Sequence, residues 1–145
     1  MSGIYFECKV KYRKTMDTGV QKVVTEPYLV DAISFTEAES RINEKMREYI
    51  SEEFKVSNIR TANYAEIHHF DNADRWFKSK ITLFAFDEES GKERKTNMFL
   101  LVQANDVESA YINTINTMKN TMGEYSIPSI SETPIMDVFP YFSAE

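Results

Sequence analysis

Apolar and polar residues alternate along the first strand-like run of the chain. Ile4, Phe6, Cys8, Val10 and Tyr12 fall on one side, and Tyr5, Glu7, Lys9, Lys11 and Arg13 on the other. A period of two predicts a strand with one buried face. Met16-Asp17-Thr18-Gly19 has turn chemistry, with Gly19 free to take a positive φ. Val20 to Val30 is rich in β-branched and aromatic residues and predicts the return strand of a hairpin. Pro27 has no amide to donate, so it belongs at an edge or a bulge. The period then changes. Ser34-Phe35-Thr36-Glu37 reads as a capping box, in which the Ser34 hydroxyl accepts from the Glu37 amide and the Glu37 carboxylate reaches back. Phe35, Ala38, Ile42, Met46, Tyr49 and Ile50 follow at helical spacing, which predicts one apolar stripe against a sheet. Phe54 to Ile59 predicts a third strand. After Thr61-Ala62-Asn63, Tyr64 to Phe70 predicts a fourth.

The pattern then recurs. Tyr5-Phe6 aligns with Trp76-Phe77, Lys9 with Lys80, Gly19 with Gly91, Leu29-Val30 with Leu101-Val102, and Met46 with Met118. A one-residue step in a hairpin loop accounts for the change of register. Asp106 stands where Ser34 stands and is an equally good helix cap. The matching stripe is Val107, Ala110, Tyr111, Thr114, Ile115 and Met118. Tyr125 to Ile130 and Ile135 to Tyr141 supply the last two strands, on either side of Ser131-Glu132-Thr133-Pro134. The expected fold is therefore α+β: a tandem pseudo-twofold repeat of a β-β-α-β(-β) unit, with antiparallel sheets and one helix per repeat. The repeats cover about 4–70 and 76–142, joined by the polar link 71–75. A unit of that size buries little surface alone, so residues 1–145 are expected to form one compact domain.

Charge and cysteine content narrow the function classes. The 145 residues carry 17 Lys and Arg against 23 Asp and Glu, a net charge of -6. That disfavours a surface that grips phosphates everywhere, while leaving room for a local basic face. The single cysteine, Cys8, allows no internal disulfide and no thiolate cluster for a metal, so a reducing, cytoplasmic setting is expected. The N-terminus shows no signal-peptide pattern, and no apolar run is long enough to span a membrane. No P-loop, GxGxxG, HExxH or GxSxG motif occurs, and with four glycines there is no glycine-rich phosphate cradle. A non-enzymatic protein without cofactor or metal is the expectation.

The most suggestive chemistry lies on the outward faces of the first strand of each repeat. The first offers Tyr5, Lys9, Lys11 and Arg13; the second offers Trp76, Lys78, Lys80 and Thr82. A ring followed by cations at period two is what single-stranded nucleic acid requires, rings for bases and cations for phosphates. The alternative is a solvated strand face whose lysines pair with Glu7, Glu66 or Asp137. Glu66 and Asp137 occupy equivalent places and could also be read as a carboxylate pair, although nothing near them supplies a nucleophile. His68 and His69 are adjacent, so in a strand they point to opposite faces and cannot chelate one metal. Cys8, with Ser79 as its counterpart, reads as a small core residue.

The segments YFECKVKY, EPYLVDAISFTEAE and ANYAEI, followed by the WFKSKI repeat, resemble an uncharacterised domain-of-unknown-function family of about this length. The similarity covers essentially the whole chain, and YLVDAISFTEAE is its most specific part. The resemblance implies a small intracellular protein of gut bacteria or their phages, without an established activity and with no functional residues to carry over. The functional expectation is a binding module for single-stranded nucleic acid, on the faces bearing Tyr5, Lys9, Lys11 and Arg13 and Trp76, Lys78 and Lys80. The alternative is a protein-interaction or assembly module forming a homo-oligomer, in which those faces and exposed aromatics such as Tyr125, Phe139 and Tyr141 meet another subunit.

Overall fold

A computed structural model describes residues 4–140 of the chain. Two helices and eight strands form two mixed sheets, an α+β architecture. The chain packs as two compact units, Met1–Ala62 with Pro134–Glu145, and Asn63–Thr133.

The first unit contains β1 (Tyr5–Thr15), β2 (Gln21–Asp31), α1 (Phe35–Tyr49), β3 (Phe54–Ala62) and, from the far end of the chain, β8 (Asp137–Phe139). The sheet order is β3-β1-β2-β8. The β1–β2 turn is closed by the Gly19 amide donating to the Met16 carbonyl at 2.8 Å, with Gly19 at φ 87. That conformation is why glycine stands there. β8 covers β2 only from Tyr28 to Val30, so Pro27 lies where β2 is still an edge, as its missing donor requires. The core lies between the sheet and α1: Ala38, Ile42 and Met46 pack against Phe6, Cys8, Val10, Tyr28 and Val30. Each large apolar side chain buried there stabilises the fold by about 1.5–3 kcal/mol.

The second unit contains β4 (Glu66–His68), β5 (Arg75–Asp87), β6 (Lys92–Ala104), α2 (Val107–Met118) and β7 (Glu124–Glu132), in the sheet order β4-β6-β5-β7. Its core sets Ala110 and Met118 of α2 against Phe77, Ile81, Leu100, Val102 and Ala104. Ser79 and Thr114 are fully buried in the same layer, with their hydroxyl oxygens 2.7 Å apart.

Three expectations change. The sheets are mixed rather than wholly antiparallel, because β8 runs parallel to β2 and β4 parallel to β6. The fourth strands are three-residue segments, and neither joins the sheet of the strand before it: β4 follows β3 but pairs with β6, and β8 follows β7 but pairs with β2. The helix stripes are also narrower. Ala38, Ile42 and Met46 are buried in α1 and Ala110, Thr114 and Met118 in α2, while Phe35, Tyr49, Val107 and Tyr111 are exposed. A single helix lying on a small sheet presents one i, i+4, i+8 row to it, and the flanking rows stay in water. Both caps form. Ser34 Oγ accepts from the Glu37 amide at 3.1 Å, though the Glu37 carboxylate reaches the amide of Ile33 rather than that of Ser34. Asp106 and Ser109 make the full reciprocal box.

Candidate nucleic-acid interface

Alternate residues of β1 point away from α1. Tyr5 is half-buried in register with Asp31, and its hydroxyl is pushed above the ordinary tyrosine range by burial and then by Asp31. It is therefore a poor stacking ring. Lys9, Lys11 and Arg13 are exposed. Lys9 lies opposite Pro27 and Asn58, Lys11 opposite Thr25 and Lys55, and Arg13 opposite Val23. Among the described residues, no acid stands across from any of these cations in the sheet. Glu7, the nearest acid along the strand, is held by Arg60 at 3.3 Å. A shallow groove of about 400 Å³ runs along this face, lined by Glu7, Lys9, Thr25, Pro27, Arg60 and Pro134.

Alternate residues of β5 point away from α2. Trp76, expected as a stacking ring, is only 1% exposed. Its ring stands edge-on to His69 at 5.1 Å, and its carbonyl accepts from both the amide and the hydroxyl of Thr133 at 2.9 Å. It is a structural residue here, because a ring that solvent does not reach cannot stack on a base. Lys78 and Lys80 remain on the face, half-buried. The Lys78 ammonium lies 4.5 Å from the centroid of Phe99, which stands directly across from Lys80.

The aromatic part of this face lies further along. Phe84 is opposite Lys95, whose ammonium lies 5.6 Å from its centroid, and Phe86 is 67% exposed. Thr82 and Asn97 join the two strands between them, the Thr82 hydroxyl donating to Asn97 Oδ1 at 2.8 Å. Rings (Phe99, Phe84, Phe86) and cations (Lys78, Lys80, Lys95) thus share one sheet face, with Glu93 opposite Phe86 and Glu124 opposite Phe84 at its far end. Sequence reasoning missed Phe84, Phe86, Phe99 and Lys95 because it followed only the start of β5. The alternation continued past Thr82, and Gly91 marked the turn that brings Lys95 and Phe99 back alongside.

The acids expected to neutralise these lysines are engaged elsewhere. Glu7 pairs with Arg60, Glu66 Oε1 lies 2.8 Å from His68 Nε2, and Asp137 Oδ1 accepts from the Val138 amide. Among the described residues, Lys9, Lys11, Arg13, Lys55, Lys78, Lys80 and Lys95 take part in no ion pair. Cation–π contact over Phe99 and Phe84 leaves the charge itself available to a phosphate.

The remaining candidates resolve into structure. His68 and His69 diverge, one to Glu66 and one to Trp76. Glu66 and Asp137 fall in different units. Cys8 is fully buried, and its thiol is pushed up to about 12 by burial and then by Glu7, far from the thiolate a nucleophile needs. Tyr125 is half-buried against the second core and Phe139 is 6% exposed, so neither is an exposed aromatic; Tyr141 lies outside the described residues. Among the described residues, no three His, Cys, Asp or Glu side chains group to hold a metal, and no helix is long and apolar enough to cross a membrane.

A family model described as a domain of unknown function (DUF4494) matches residues 4–141. No curated protein and no solved structure matches the chain.

Proposed function

The chain belongs to the DUF4494 family, and from that footing we propose that it is a non-enzymatic module binding single-stranded nucleic acid on the outer faces of its sheets. The observation that carries this reading is a strip of rings and cations at period two, whose cations enter no ion pair among the described residues. On the β5–β6 face, Phe99, Phe84 and Phe86 offer π surfaces for bases, each worth about 1–3 kcal/mol per stacked base. Lys78, Lys80 and Lys95 offer charge to the backbone. On the β1–β3 face, Lys9, Lys11, Arg13 and Lys55 offer charge without rings, which suits backbone contact alone. The net charge of -6 confines binding to these strips, since phosphate is repelled from the rest of the surface. Free Cys8 fits a reducing intracellular setting, bacterial or phage-encoded.

The reading includes an internal duplication. In each unit a hairpin leads into a helix, and the strand after the helix adds antiparallel to the hairpin's first strand. A short parallel strand flanks the hairpin's second strand. The third-strand pairing shifts register at Lys9/Val10 in one unit and at Lys80/Thr82 in the other, positions that also align in sequence. Duplication of the scaffold accounts for two cationic faces, of which one kept its rings.

A second reading, a protein-interaction or self-assembly module, is favoured by one observation. Val107, Tyr111 and Ile112 are 56%, 51% and 53% exposed along the outer side of α2. Sedimentation equilibrium distinguishes the two: a dimer that Tyr111→Arg dissociates supports assembly, and a monomer removes the homo-oligomer.

The test of the main reading is fluorescence anisotropy with a labelled oligothymidylate of about 20 nucleotides, long enough for one or two binding sites. The variant carrying Lys78→Gln, Lys80→Gln and Lys95→Gln should bind more weakly, and the slope of log affinity against log salt should shrink by about 2, at roughly 0.7 per phosphate contact. Equal binding and equal slope in that variant would remove the face from consideration.

A further inference from the structure

At the β2–β8 edge of the first unit, the layer shared with α1 opens into an aromatic recess. Tyr28 of β2, Phe139 of β8 and Tyr49 at the end of α1 line it, together with Met136 and Asp137. The Phe139 ring is nearly parallel to both tyrosines, at 5.8 Å and 11° from Tyr28 and 6.1 Å and 14° from Tyr49. The recess holds about 200 Å³. Drug-sized ligands and cofactors take about 300–1,000 Å³, so this space suits a small head group.

We infer that the recess binds an N-methylated or quaternary ammonium group, held by the Tyr28, Phe139 and Tyr49 rings and by the Asp137 carboxylate. The inference stands on different residues from the nucleic-acid reading and does not depend on it.

Four observations argue for a cation of this kind. Aromatic faces attract cations through their quadrupole, and cages of such rings recognise quaternary ammonium groups. The protein already sets one ammonium there: Lys45 Nζ lies 5.5 Å from the Phe139 centroid. One carboxylate is placed to meet such a cation. Asp137 lines the recess and enters no ion pair among the described residues. Glu26, 8% exposed, accepts from the Tyr28 hydroxyl at 3.3 Å and is itself paired with Lys14 at 3.4 Å, so it orients the ring rather than supplying charge. Burial, followed by Glu26 and then more weakly Asp137, pushes the Tyr28 hydroxyl up, so the phenol stays neutral. Finally, Met136 and the ring faces suit methyl groups. A methylated ammonium, more weakly hydrated than a primary one, loses less on entering such a lining. A phosphate or carboxylate ligand would meet Asp137 and be repelled.

The same head group occurs on small free molecules and on methylated lysine side chains of proteins. Calorimetric titration of the full chain with choline, with its uncharged isostere 3,3-dimethylbutan-1-ol, and with a short peptide bearing trimethyllysine separates these cases. The inference expects choline or the peptide to bind about tenfold or more tighter than the neutral isostere, since only the cations gain the desolvated cation–π contact. Tighter binding of choline identifies a free ligand, and tighter binding of the peptide identifies a protein partner. Asp137→Asn and Tyr49→Ala should each weaken that binding several-fold. Tyr49 is 63% exposed, so its truncation leaves the core in place, and an unchanged urea midpoint confirms this. Equal affinity for choline and its isostere, no binding of either cation at millimolar concentration, or binding indifferent to both substitutions would overturn the inference.

Discussion

The buried pair Ser79–Thr114 allows a prediction whose sign and size follow from counting hydrogens. Both residues are 0% exposed, and their hydroxyl oxygens are 2.7 Å apart. Thr114 has one hydroxyl hydrogen, and it is committed to the Ala110 carbonyl at 2.8 Å. Ser79 must therefore be the donor and Thr114 the acceptor. Thr114→Val removes that acceptor and strands the Ser79 O–H in an apolar layer, at about 1–3 kcal/mol. The Ala110 carbonyl keeps its helical amide partner, so little is lost there. Ser79→Ala strands only a lone pair, because the Thr114 hydrogen remains satisfied, and should cost about 0.5–1.5 kcal/mol. The double variant replaces both partners by apolar groups and should cost less than Thr114→Val alone. The coupling between the sites is then about 1–2 kcal/mol. Urea unfolding followed by circular dichroism measures all four proteins, with an unchanged m-value as the check that the denatured state is comparable. If Ser79→Ala costs more than Thr114→Val, or if the double variant equals the sum of the singles, the donor assignment is wrong.

Further predictions concern charge and capping. Burial, followed by its 2.9 Å hydrogen bond to Glu26, pushes the Tyr12 hydroxyl from 10.0 up to about 12. The folded state thus holds a proton that the unfolded chain releases. This contribution is fully present below pH 10.0 and is lost as pH rises through about 12. The urea midpoint should fall over that interval, and less steeply in Tyr12→Phe. Cys8, fully buried with its thiol raised to about 12, should resist a disulfide reagent at mildly alkaline pH and react fully once urea unfolds the chain; mass spectrometry counts the adduct. Asp106→Ala should lower the unfolding temperature by loss of the helix cap, while Asp106→Asn should retain most of the stability, as thermal unfolding would show.

What was legible in the sequence was local. The alternation from Ile4 to Arg13, the Gly19 turn and the two helix caps each depend on residues a few positions apart, so propensity and spacing reveal them. The short strands β4 and β8 were legible as apolar runs but not as to partner. Each rests on one parallel pairing with a strand far away in sequence, and three residues carry no register information. The candidate face was half legible for the same reason. Lys78 and Lys80 alternate within one strand, but Phe99 and Lys95 join them only once β6 is laid against β5. Trp76 satisfied the same alternation and yet is buried: period two assigns a side to each residue, not the exposure of that side.

Whether nucleic acid binds the proposed face is tested most directly by amide chemical-shift mapping of the labelled chain during titration with oligothymidylate at low salt. Binding on the β5–β6 face predicts perturbations concentrated at Lys78, Lys80, Phe84, Lys95 and Phe99, fading as salt is added. Perturbations confined to the outer side of α2 at Val107, Tyr111 and Ile112, or none at all, would contradict it.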